Sequence, residues 1–120
     1  MNEEKIINAW QSPGHQGVAG GVIGRWENPE CGDVVQLDIL VESGIIKKAA
    51  HSGDGCVLSQ AGAELLCQHL EGKPIESAVL MSQDDMLSLF EGRPLDIRLP
   101  CCLLPWQALQ SVLYGLKLVA

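Results

Sequence analysis

At 120 residues, 47% of them hydrophobic and with a net charge of −7, the chain is sized for one domain, residues 1–120, that buries roughly two-thirds of its unfolded surface. The acidity and the lack of any Lys/Arg cluster exclude a nucleic-acid partner, and no apolar run is long enough for a membrane span. No signal-like segment opens the chain, so it is expected in the cytoplasm, where its five cysteines stay reduced and serve as ligands, nucleophiles or core residues.

Residues 3–10, EEKIINAW, predict a short helix with acids in its first turn and Ile6, Ile7 and Trp10 on one side. SPGHQG stops it. The next stretch, GVAGGVIGRW, reads either as an edge strand or as a mobile loop, because glycine is costly inside strands. It is not a phosphate-cradling loop, since no Lys-Ser/Thr follows. Val35, Leu37, Ile39 and Val41 alternate with more polar neighbours, ESG turns, and IIKKAAH resumes, which predicts an antiparallel hairpin with one buried face. A helix follows from Val57 to Leu70, ended by Gly72 and Pro74.

ESAVLM is a short helical or extended piece, and Ser82 caps QDDMLSLF. GRPLDIRLP is a linker. The last segment, LLPWQALQSVLYGLKLVA, is helical by period, with Pro105 placed in its first turn, where proline is tolerated. The order predicts an α+β domain: a small antiparallel sheet of about three strands with helices packed on one face.

The chemistry lies in the cysteines. NPECGD, residues 28–33, sets Cys31 two places before Asp33. It reads either as a turn holding a small hydrophobe and a solvated acid, or as half of a metal site. Cys31, Cys56 and the pair Cys101–Cys102 all fall at element boundaries, where backbone can aim side chains at a common point; Cys67, inside a helix beside Leu66, reads as packing. No C-x-x-C knuckle is present, so spacing allows a three-cysteine metal site without establishing one.

The motifs in order resemble the NifU/IscU-type iron–sulfur cluster scaffold family over nearly the whole chain. KIINAWQSPGHQG is similar to the family's opening helix and its aromatic-x-x-Asn-Pro-Arg-Asn-x-Gly turn through Trp10, Pro13 and Gly17. NPECGDVVQLDILV resembles the first cysteine motif, Asn-Pro-x-Cys-Gly-Asp. GDGCVLSQAGAELL resembles the second, Gly-x-Gly-Cys-x-x-Ser-x-Ala-Ser, and RLPCCLLPWQAL the third, which puts Cys101 rather than Cys102 in the ligand place.

The resemblance implies a scaffold or carrier rather than a conventional enzyme. It would build a labile [2Fe–2S] cluster on Cys31, Cys56, Cys101 and Asp33, take sulfur from a cysteine desulfurase, and pass the cluster to apo iron–sulfur recipients. The alternative it implies is a zinc-bound SufU-type sulfurtransferase using the same four ligands. Thiolates suit both metals, and an oxygen ligand such as Asp33 holds cluster iron less firmly than sulfur does.

Departures from the pattern are specific. Pro100 stands where IscU proteins carry His, DIRLP replaces the segment gripped by their specialised chaperone, and Gly62 replaces the usual Ser. Arg98, Cys101 and Trp106 match the SufU branch, yet the Cys56-to-Cys101 interval looks too short for the SufU insertion. Lys47, Lys48 and Arg98 could offset negative charge at the site, with a solvated strand face the alternative for the lysines. His51, five residues before Cys56, reads as a surface or packing residue or as an occasional ligand; His15 and His69 approach no cysteine motif. Cys102 either packs beneath the start of the last helix or holds a persulfide beside the site, with the helix dipole lowering its pKa.

Overall fold

The chain begins with helix α1, Glu3–Gln11, in a computed structural model that describes residues 1–92 and 94–118. Asn2 caps α1 by accepting the Lys5 N–H at 3.0 Å. The helix meets the long helix α2, Val57–Leu70, through Ile6 and Ala9, which are buried, whereas Ile7 and Trp10 are each 45% exposed. Sequence periodicity had grouped Ile6, Ile7 and Trp10. A two-turn helix makes its contact along one i, i+3 line, and the residue after each contact position is left outside.

Strands β1 (Val22–Glu27), β2 (Val34–Glu42) and β3 (Ile45–Asp54) form an antiparallel sheet in that order. Val35, Leu37 and Ile39 of β2 point to one face and are at most 1% exposed. Ser43 and Gly44 both have positive φ (52° and 76°), the two-residue turn whose twist matches paired strands. Helix α2 (Val57–Leu70) and helix α5 (Leu99–Gly115) cover the apolar face, α2 over β3 and α5 over β1 and β2. Gly24 lets α5 come close: a Cβ there would run into the backbone of Ala108 and Val112. Helices α3 (Ile75–Val79) and α4 (Gln83–Ser88) connect the two; α4 carries a full capping box between Ser82 and Asp85. The Trp106 indole ties α5 to this connection by donating to the Met81 carbonyl at 2.9 Å.

Of the glycine-rich stretch, Val22 onward is the edge strand and the residues before it are loop. That loop has a task the sequence did not reveal. The N–H groups of Ala19, Gly20 and Gly21 all donate to the Asp38 carboxylate, at 2.8, 3.1 and 2.8 Å. Burial would raise the Asp38 pKa, but these donors, helped by Lys48, hold it below the usual carboxylate value. The loop therefore cradles an anion that belongs to the protein itself.

The last helix differs from expectation at both ends. It starts at Leu99, after a 3₁₀ turn over Asp96–Arg98, so Cys101 and Cys102 lie in its first turns and Pro105 in its interior. An interior proline removes the N–H that the Cys101 carbonyl would accept. Gly62 on α2 accommodates the ring: a Cβ there would lie 2.9 Å from Phe90 Cζ and 3.2 Å from Pro105 Cγ. A serine at that position would press its Cβ on both rings. The helix ends at Gly115, not Ala120. Lys117 turns left-handed (φ 61°), and the Leu118 N–H returns to the Leu113 carbonyl at 2.8 Å. Val119 and Ala120 of the expected helix, and Arg93 of the expected linker, lie outside the described residues.

A second buried carboxylate, Glu64 of α2, joins the loop after α1 to β3. It is fully buried. His51 Nε2 meets its Oε1 at 2.9 Å, His15 Nδ1 meets its Oε2 at 2.8 Å, and the His15 N–H and Gln68 Nε2 each donate to it at 2.8 Å. The other His15 nitrogen meets Glu71 at 2.8 Å. His51 is thereby a buried hydrogen-bonding residue, and His69 lies beside Lys73. Burial lowers the His15 pKa, but Glu64 and Glu71 outweigh it and hold the pKa above 6.5. Against their own burial, the hydrogen bonds from His51, Ala49 and His15 hold both glutamates below 4.5.

The pH dependence follows with definite sign. The His15 contribution is complete below about pH 6.5 and fades as pH rises through its raised pKa. The glutamate contributions are complete above about pH 4.5 and fade as pH falls through their lowered values. Glu64→Ala, which leaves His51 without its carboxylate and His15 with Glu71 alone, should cost about 3 kcal/mol near pH 6. Denaturant unfolding of wild type and variant should show the gap narrowing at pH 8; a gap independent of pH would mean that His15 carries no charge into the network.

Candidate metal centre

One turn and two helix starts build the cysteine rim. Between β1 and β2, the Asn28 side chain accepts the Glu30 N–H at 3.0 Å, its carbonyl accepts the Gly32 N–H at 2.8 Å, and its own N–H donates to the Asp33 carbonyl at 2.8 Å. Asn28 thus folds the turn that carries Cys31 outward and Asp33 inward; Cys31 is exposed and Asp33 is 8% exposed. Cys56 is the N-cap of α2, and Cys101 lies in the first turn of α5. Both of these thiols are half-buried.

The Sγ atoms of Cys31 and Cys101 and a carboxylate oxygen of Asp33 all lie within 4.8 Å of one another. Cys56 falls outside this trio, but its backbone N–H donates to Asp33 Oδ2 at 3.1 Å, and its thiol is close enough to influence the pKa of both Cys101 and Asp33. Metal–sulfur bonds of about 2.3 Å place tetrahedral sulfur ligands roughly 3.8 Å apart. A contraction of about 1 Å would therefore close the trio on one ion. Soft thiolates with one oxygen fit zinc and iron alike.

Asp33 is held before any metal arrives. Its Oδ2 accepts the Cys56 N–H at 3.1 Å and the Ser59 hydroxyl at 3.2 Å. Burial raises its pKa, but the Cys56 backbone, the Cys56 and Cys31 thiols and Ser59 together bring it below the usual value. Gly55 makes room: with φ 155°, a Cβ at that position would lie 2.5 Å from the Asp33 carboxyl carbon. Cys101 goes the other way. Its pKa is pushed up to about 12 by burial first, then by Cys56, Asp33 and Cys31. The helix start alone would favour a thiolate; burial, aided by the neighbouring acidic groups, outweighs it.

The remaining cysteines stand apart from the rim's chemistry. Cys67 is fully buried in the core, its pKa raised by burial and by Glu64 and Glu71. Cys102 is also fully buried, with a pKa pushed up to about 11 by burial and then by Cys56, against a lowering by Arg98. Burial thus overrides the dipole argument for a reactive Cys102, and packing describes it. Lys47 pairs with Glu42 at 2.9 Å beside the hairpin turn, as a solvated strand-face residue. Sequence reasoning missed Gly55 and Ser59 as the neighbours that hold Asp33. Their signal was their spacing, one residue before and three after Cys56.

The model of the NifU-like N terminal domain matches residues 1–117. The zinc-dependent sulfurtransferase SufU of Bacillus subtilis is 29% identical over 129 aligned positions, covering 92% of this chain and 88% of that protein. The iron–sulfur cluster assembly scaffold protein IscU of Thermotoga maritima is 31% identical, covering 77% of this chain and 76% of its own. Among solved structures, FiSufU of Fervidobacterium islandicum superposes with a TM-score of 0.78 at 22% identity, covering 92% of this chain and 95% of its own. The N-terminal NifU-like protein of Brucella abortus does so at 0.77 and 15%, covering 98% and 95%. With three-cysteine motifs in order, a matching fold and a family model spanning nearly its full length, this chain belongs to the NifU-like N-terminal domain family.

Proposed function

We propose that the chain is an iron–sulfur cluster assembly scaffold whose ligands are Cys31, Asp33, Cys56 and Cys101. The observation that carries this reading is the convergence of Cys31, Asp33 and Cys101 within 4.8 Å, with Cys56 beside two of them. Sulfur arrives as the outer atom of a persulfide on a cysteine desulfurase. Cys31, the exposed thiol of the rim, attacks that atom as a thiolate, the S–S bond breaks, and the desulfurase recovers its own thiolate. A two-electron donor, a dithiol or a reduced ferredoxin-type protein, then cleaves the Cys31 persulfide, returning the Cys31 thiolate and releasing sulfide, which joins iron as a [2Fe–2S] cargo held by three sulfurs and the weaker oxygen of Asp33. The cargo then leaves for apo recipient proteins, and the oxygen ligand is where release begins.

A second reading, a zinc-bound sulfurtransferase, is supported by Pro100 and Arg98 beside the third cysteine and by the likeness to a relative named for that activity. Bound zinc would lower the pKa of the thiols that hold it. Metal and sulfide analysis with an absorption spectrum, on protein loaded without oxygen from a desulfurase, cysteine and iron, separates the two. Equal iron and sulfide with charge-transfer bands supports the scaffold; zinc alone, with persulfide and no bands, supports the carrier.

Three outcomes are expected beyond that test. Asp33→Cys should hold the cluster more firmly and slow its transfer to an apo recipient by at least about tenfold, followed by the recipient's spectrum. Because the Cys101 thiol is held protonated by a pKa of about 12, zinc binding at pH 7 should release protons. Calorimetric titrations in buffers of different ionisation enthalpy should then give different heats, and identical heats would refute a protonated rim. Cys102→Ala should cost on the order of 1 kcal/mol in denaturant unfolding and leave assembly from the desulfurase unchanged; slowed assembly with normal use of free sulfide would make Cys102 a sulfur carrier.

A further inference from the structure

Ser59 lies in the first turn of α2, three residues after Cys56, and is fully buried. Its hydroxyl has one proton and two acceptors in reach: the Cys56 carbonyl at 3.1 Å and Asp33 Oδ2 at 3.2 Å. Gln60 Nε2 donates to Ser59 Oγ at 3.2 Å and so occupies one of its lone pairs. Of the two acceptors, the carboxylate carries the charge, and a hydrogen bond to a charged acceptor is about twice as strong as one to a neutral carbonyl. The hydroxyl therefore donates to Asp33 Oδ2.

Asp33 Oδ2 then has two donors, Ser59 and the Cys56 N–H, and the carboxyl carbon backs onto Gly55. No N–H or O–H donor reaches Oδ1 among the described residues. From this geometry we infer that Ser59 is a positioning residue for the metal: it fixes the rotation of the Asp33 carboxylate so that one oxygen is spoken for and the other is offered to the ion. The inference rests on the ligand set proposed above and names the residue that governs its weakest member. Ser59 is not itself a ligand; it touches two of the proposed ligands, Asp33 through its strong hydrogen bond and the Cys56 thiol through a long one, Cys56 Sγ to Ser59 Oγ at 3.9 Å, and the inference assigns its effect to the first. A preset carboxylate loses less freedom on binding, and removing such an outer partner typically weakens metal affinity 10- to 100-fold.

The test is zinc affinity, measured by competition with a chromophoric chelator, in wild type and in Ser59→Ala, Ser59→Thr, Asp33→Ala and the Asp33→Ala/Ser59→Ala double variant. Ser59→Ala should bind zinc about tenfold more weakly, with Ser59→Thr restoring affinity because it keeps the hydroxyl. In the Asp33→Ala background the serine change should do nothing more, since the residue through which it acts is gone. The visible bands of cobalt(II) in the site should shift in Ser59→Ala and stay in place in Ser59→Thr. If Ser59→Ala proves too unstable to purify, Ser59→Val, which has the shape of Ser59→Thr without the hydroxyl, should show the same loss relative to Ser59→Thr.

An unchanged affinity in Ser59→Ala overturns the inference while leaving the ligand set standing. So does an equal loss with and without Asp33, which would mean that Ser59 acts through the Cys56 thiol or through the packing of α2. Failure of the unaltered chain to bind zinc or cluster overturns the proposed function and this inference together.

Discussion

The β2–β3 hairpin pairs Val34 with Asp54, and that pairing brings the turn before β2 alongside the turn after β3. Asp33 and Gly55 are the next residues outward from the pair, so the carboxylate reaches the start of α2 because of where the strands register. Two things hold that register. The Ser43–Gly44 turn admits one hairpin length, and the burial of Val35, Leu37 and Ile39 on one face penalises any slip by a single residue, which would turn all three into solvent. The metal rim is in this sense a property of the sheet, with α5 bringing Cys101 to it from across the roof.

Two buried carboxylates organise what the hairpin does not. Asp38 collects the loop that leads into β1, and Glu64 collects the loop that leaves α1. Each lies where an unpaired charge would be costly, and each is satisfied by several donors at once, which is the condition under which a buried charge can be tolerated. Among the described residues, neither belongs to the metal cluster. Their work is to tie a glycine-rich connection, poor in side chains to pack, to opposite faces of the sheet.

Elements set by local pattern were legible in the sequence. The alternation from Val35 to Val41 marked the hairpin, Gly72 and Pro74 marked the end of α2, and three cysteine motifs in order marked the site and its fold. Features made by long-range partners were not. Nothing beside His15 in the chain shows that Glu64 and Glu71 will bracket its ring, and nothing beside Gly20 shows that Asp38 will fill the loop. Pro105 misled for the same reason: local propensity places a proline in a first turn, while the space beside Gly62 that admits it further in belongs to another helix. Ser59 was visible as part of a motif, but its link to Asp33 needed the register of the sheet.

The contact of Gly62 with Phe90 and Pro105 has a historical side. These three residues come from α2, the end of the α4 segment and α5, and they share one small volume of the core. A serine at position 62 would press its Cβ against both rings, so Phe90 or Pro105 would have to give way, and the glycine and the proline fit most easily together. Such positions change together. Chains of this family that carry a proline four residues after the third cysteine should therefore carry glycine at the sixth residue after the second, a joint signature that can be sought in genomes without any measurement on the protein.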